Sequence, residues 1–136
     1  GNELWFYYSC SDQSHGVTGR SGTICLAKLR LDGFVSMDAR TDIGTLTTQV
    51  MHCKGGLLSI NAVAKNGMVG VAILDESGIQ YNGYSKQECA IFNGDFINHT
   101  MTWKDNLSLE KLKGKNIRLK FYLRDASLYS FSIVPS

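Results

Sequence analysis

The chain has 136 residues, a formal net charge of +2 with acids and bases interleaved, and four cysteines. A chain of this length suits one domain and buries roughly 65–70% of the surface its unfolded form exposes, so no metal or disulfide is required for it to fold. The lack of a basic run with interleaved aromatics argues against a nucleic-acid partner, and no stretch reaches the roughly 18 consecutive apolar residues of a membrane-spanning helix.

Residues 3–9 are apolar and aromatic, LWFYY at their centre, and are expected to form a strand too apolar to be left uncovered. There is neither an initiator Met nor the basic n-region of a signal peptide before them, so the start reads as that of a trimmed or processed chain. Residues 10–22, CSDQSHGVTGRSG, are polar and aperiodic and read as a long loop. Alternation resumes over residues 23–30, and Leu31-Asp32-Gly33 reads as a turn with glycine at positive φ. From residue 34 onward short strands recur at regular intervals, the pattern of a sandwich or barrel: 34–39, 45–52, 57–64, 68–74 and 96–103. Asn66-Gly67 predicts a hairpin between the third and fourth of these. Residues 79–95 are irregular, and 107–113 read as a loop or helical turn.

The last pair is the most strongly patterned. Ile117, Leu119, Phe121 and Leu123 alternate with Arg118, Lys120, Tyr122 and Arg124, and after a turn at residues 125–127, Tyr129, Phe131 and Ile133 alternate with Ser130 and Ser132. The spacing predicts an antiparallel hairpin with Tyr129 beside Phe121. The fold class expected is therefore all-β: an antiparallel β-sandwich, jelly-roll-like, with an N-terminal hairpin-like extension. Residues 1–30 form the extension and 31–136 the sandwich.

Cys10, Cys25, Cys53 and Cys89 are dispersed, with no CxxC and no Cys/His cluster, which argues against zinc and for free, buried thiols. An even count leaves two disulfides open in an exported protein. Asn98-His99-Thr100 and Asn106-Leu107-Ser108 match the glycosylation acceptor pattern, at a frequency chance alone provides.

Candidate chemistry is sparse. His15 stands beside Asp12 among serines, but a flexible loop gives no fixed base and orienting group, so it reads as solvated loop. His52 and His99 have no second ligand at metal spacing. Asp38, Asp42, Asp75, Glu76, Glu88 and Asp95 stand in or beside turns, where carboxylates serve as caps. No catalytic residue, metal ligand or cofactor site is assigned. Tyr81, Tyr84, Phe92 and Trp103, with Asn82, supply the aromatic faces and short polar groups that sugar binding requires, against the plainer reading that these rings cover the rim of the core.

The strings LAKLRLDGFVSMDA, GTLTTQVMHCKGGLLSINA, VAILDESGIQYNGYSKQEC and IRLKFYLRDASLYSF resemble the C-terminal β-sandwich of bacterial glycoside-hydrolase-like proteins, in which a five-bladed β-propeller precedes the sandwich. The resemblance covers nearly the whole chain from Leu26, with Tyr84 where the family has Phe and Glu88 where it has Asp. NELWFYYSCSD is similar to a strand of the last propeller blade. It implies a non-catalytic accessory sandwich whose partner is the propeller absent from this chain, with carbohydrate contact open and an extracellular or periplasmic location. It implies no catalytic residue, because the acids of such hydrolases line the propeller funnel. The alternative is a free-standing lectin-like module binding glycan through Tyr81, Tyr84 and Trp103.

Overall fold

A computed structural model describes every residue except His15, Val17, Arg20 and Ser136. The chain divides into two compact units, Gly1–Phe34 and Val35–Ser136. The first is a two-stranded ribbon of β1 (Glu3–Ser11) and β2 (Gly22–Arg30), paired antiparallel from Glu3 opposite Arg30 to Ser11 opposite Gly22. Its open end is tied by Leu31 N–H to Asn2 O and by a turn in which Gly33 N–H donates to Arg30 O. There Asp32, not the glycine, takes the positive φ, at 52°. Gly33 is required by crowding, since a Cβ would stand 2.7 Å from the Arg30 Cβ.

The second unit is an antiparallel β-sandwich. One sheet has the order β3 (Met37–Ala39), β10 (Ala126–Val134), β6 (Leu57–Val63), β8 (Asp95–Met101). In the other, β9 (Asn116–Arg124) is central, with β4 (Gly44–Thr47) and β5 (Met51–His52) along one side and β7 (Met68–Leu74) along the other. The stretch expected as one strand over 45–52 is split at Thr48. Its N–H donates to Leu119 O while its Oγ1 accepts the Leu119 N–H, both at 3.0 Å, so a side-chain oxygen replaces the ladder carbonyl and the strand is interrupted. The helical turn expected over 107–113 is a 3-10 turn, Glu110–Leu112.

Both expected hairpins are corrected. β9 and β10 lie in different sheets, as do β6 and β7, so each connection crosses the sandwich instead of turning back along one sheet. The two crossings pack on each other. A Cβ on Gly67 would lie 1.9 Å from Arg124 O, so the glycine is there for close backbone approach; neither it nor Asn66 has the positive φ of an Asn-Gly hairpin turn. Asp125 takes the second corner alone, at φ 43°, and its N–H donates to Arg40 O. Phe121 consequently faces Phe131 across the sandwich, ring centroids 5.4 Å apart. Tyr129 is not its cross-strand neighbour, because β9 and β10 do not pair; in β10 the register against β6 shifts between Leu128 and Ser130. That bulge transfers the core face from Ala126 and Leu128 to Phe131 and Ile133.

Ile117, Leu119, Phe121 and Leu123 of β9 meet Leu58, Ile60 and Ala62 of β6 in the core, as alternation predicts. Cys53 and Cys89 are buried, as expected; Cys10 and Cys25 are not, and lie half-exposed on the ribbon.

Candidate functional site

The segment expected to bind sugar has another role. β7 pairs with β9 on one side only, and its other edge would present bare N–H and C=O groups. Residues 79–103 satisfy all of them. Val69 exchanges both main-chain bonds with Phe92, at 2.9 Å each. Ile73 N–H donates to Tyr84 O at 3.0 Å, and Ile73 O accepts from Tyr81 N–H at 2.9 Å. Between them, Val71 N–H donates to the Cys89 thiol sulfur at 3.4 Å, and Val71 O accepts from Trp103 Nε1 at 3.1 Å. Irregular chain thus closes an edge as a further strand would.

Three of the candidate rings are consequently core. Trp103 is 1% exposed, Tyr84 and Phe92 each 2%, and Tyr84 meets Trp103 edge to face at 5.1 Å. The Tyr84 hydroxyl donates to Ser108 O at 3.0 Å, and burial raises its phenol above the ordinary range. None of the three offers a ring face to a sugar. Tyr81 and Asn82 remain at the surface, Tyr81 half-buried with Lys115 Nζ 5.0 Å from its ring centroid and its hydroxyl donating to Asn116 O. The signal in the sequence was the small residues of MVGVAIL. Gly70 and Ala72 leave room on the outer face of β7, and a Cβ on Gly70 would come within 2.9 Å of Ile91 Cδ1.

A local device aims the Cys89 sulfur. Ser85 and Glu88 form a reciprocal capping box: Ser85 Oγ and N–H both donate to Glu88 Oε2, and Glu88 N–H donates to Ser85 Oγ. The Ser85 hydroxyl, then its N–H, hold the Glu88 carboxyl below its ordinary pKa. Burial pushes the Cys89 thiol up, as befits a sulfur used as a packing and accepting group.

The other carboxylates serve comparable roles. Asp75 Oδ1 accepts from Ser77 and Ile79 N–H, Glu76 accepts from Asn116, Asp95 pairs with Lys65 at 3.1 Å, and the Ser127 and Ser36 hydroxyls lower the Asp38 carboxyl. Among the described residues no three His, Cys, Asp or Glu side chains gather as a metal site. His15 lies outside the described residues; His52 is exposed at the end of β5, and His99 is packed against Phe92 at 4.6 Å. The two glycosylation patterns are unequal. Asn98 is exposed on β8, whereas Asn106 is buried with the acceptor nitrogen itself, Nδ2, donating to Gly83 O at 2.8 Å.

The ribbon is the opposite case. Pairing places Trp5, Tyr7, Ile24 and Leu26 on one face, and Leu4, Phe6, Tyr8, Ala27 and Leu29 on the other. Trp5 is 52% exposed, Tyr7 67%, Phe6 43% and Tyr8 50%. Among the described residues, Lys28 Nζ lies 4.3 Å from the Trp5 ring centroid, and Phe34 meets Phe6 edge to face at 6.1 Å. The cover expected for LWFYY is not supplied within the ribbon.

No family model matches the chain, and comparison with curated proteins and with solved structures gave no significant match.

Proposed function

We propose that the chain is the non-catalytic accessory β-sandwich of a glycoside-hydrolase-like protein, and that its N-terminal ribbon belongs to a blade of the propeller that the sandwich supports. The observation that carries this reading is a ribbon that bears exposed aromatic and aliphatic side chains on both faces. A sheet with water on one side alternates apolar with polar; one apolar on both sides suits a place between two further layers, as the stacked blades of a propeller provide. In this reading hydrolysis belongs to the propeller, and this chain contributes support in an extracellular or periplasmic setting. The lectin-like alternative loses its main support, because two of the three rings it needs, Tyr84 and Trp103, are buried in the seam along β7. Any carbohydrate contact falls to Tyr81 and Asn82.

The chain's two tryptophans provide the test, since Trp5 is half exposed and Trp103 buried. In the full-length natural protein, acrylamide quenching of Trp5 fluorescence should fall well below its value in this chain, with Trp103 shielded in both. Equal quenching of Trp5 in the two proteins, or a natural coding sequence with no further β-rich domain, overturns the reading.

A further inference from the structure

The register of the ribbon sets Cys10 opposite Thr23 and Cys25 opposite Tyr8, so the two cysteines are diagonal neighbours on one face. Their sulfurs are 2.9 Å apart, in direct contact, and both thiols are free. The other two cysteines differ in kind: Cys53 is buried with its thiol toward Leu109 O, and the Cys89 sulfur is engaged by Val71 N–H. Cys10 also borders an open recess with Asp12, Ser21 and Thr23, which leaves it within reach of a small molecule, and Cys25 beside it is half-exposed. The chain around it is drawn together by Ser11 Oγ to Ser21 O and by Ser21 N–H to Asp12 Oδ1, both 3.2 Å.

We propose that Cys10 and Cys25 are a modification site: a dithiol that a low-molecular-weight disulfide oxidises to a disulfide across β1 and β2. One cysteine thiolate attacks the small disulfide, whose S–S bond breaks to leave a mixed disulfide and release one small thiolate. The second cysteine, as thiolate, attacks the protein sulfur of the mixed disulfide and expels the second small thiolate. The two protons lost by the cysteines end on the two departing sulfurs, so two protein thiols are oxidised while one small disulfide is reduced to two thiols.

The location gives the bond a purpose. A two-stranded ribbon is marginal in water without a packed face, and a cross-link between its strands restricts the unfolded chain. Oxidation would hold the ribbon paired at the loop end whether or not a partner covers its aromatic faces. This holds independently of the propeller reading, since it depends only on the register and the sulfur contact.

The test is incubation of the folded chain with oxidised glutathione at about pH 8.5, which raises the thiolate fraction, followed by alkylation and peptide mass analysis. The expected product is one intramolecular Cys10–Cys25 disulfide, with Cys53 and Cys89 alkylated only after unfolding. In C10S, Cys25 should stop at the glutathione mixed disulfide. Ring closure should be at least about tenfold faster in the folded chain than in urea, because the ribbon holds the sulfurs together whereas an open loop must bring them there. Wild-type Cys10 and Cys25 recovered as free thiols, as stable mixed disulfides or as a bond between two chains would overturn the proposal. So would a rate ratio near one.

Discussion

The ribbon and the seam along β7 are built from the same materials, aromatic rings on or beside antiparallel strands, and meet opposite fates. Around β7 the rings of Tyr84, Phe92 and Trp103 are buried because every outward N–H and C=O of Val69, Val71 and Ile73 finds a partner in the segment that carries them. In the ribbon Trp5, Phe6, Tyr7 and Tyr8 are as apolar but stay exposed. Burial is decided by whether backbone closure brings another surface to the ring, and the ring's own hydrophobicity does not settle it.

The contrast is strongest at the two tryptophans. Trp103→Ala should destabilise the sandwich by about 3–5 kcal/mol through the cavity left behind, whereas Trp5→Ala should shift it by less than about 0.5 kcal/mol. Urea denaturation followed by near-UV circular dichroism measures both, and comparable losses would mean that the ribbon shares the core. The glycines come next. Gly67→Ala drives a methyl into Arg124 O and Asp125 O, at 1.9 and 2.3 Å, and should cost about 1–3 kcal/mol as the paired corners separate. Gly22→Ala in β2, whose nearest new contact is 3.8 Å away, should stay within about 0.5 kcal/mol.

The smallest effect is in the pH dependence of the seam. The Glu88 carboxyl is lowered in the folded state by its bonds from Ser85, so its contribution is present above the ordinary carboxylate pKa and is lost as pH falls through the depressed folded value. Burial lowers the His99 imidazole below its ordinary 6.5, so the unfolded chain takes up that proton more readily. Its contribution is whole above that pH and declines as pH falls from 6.5 toward the folded pKa. Glu88→Gln should therefore flatten the acid limb of a stability–pH profile, and His99→Gln the portion just below 6.5. An unchanged slope in Glu88→Gln would mean that the capping box does not hold the seam.

Strand identity was largely legible. The period-two pattern located β9 and its inward Ile117, Leu119, Phe121 and Leu123, whereas Glu88, expected only as a carboxylate beside a turn, closes a capping box with Ser85. The candidate site was legible only as composition. Aromatic residues among glycines fit a sugar cleft and an edge seal equally well, and the difference lies in which strand edge they meet.

Local order was within reach of the sequence because alternation and turn residues act over a few bonds: an all-β chain, its apolar faces, the corner at Asp125. Tertiary structure alone decided that β6–β7 and β9–β10 cross between sheets, that a bulge at Tyr129 changes the inward face of β10, and that two cysteines 15 positions apart touch while the other two remain separate. Each of these depends on long-range pairing, where the free energy comes from surfaces distant in the chain and nearest neighbours carry no record of it.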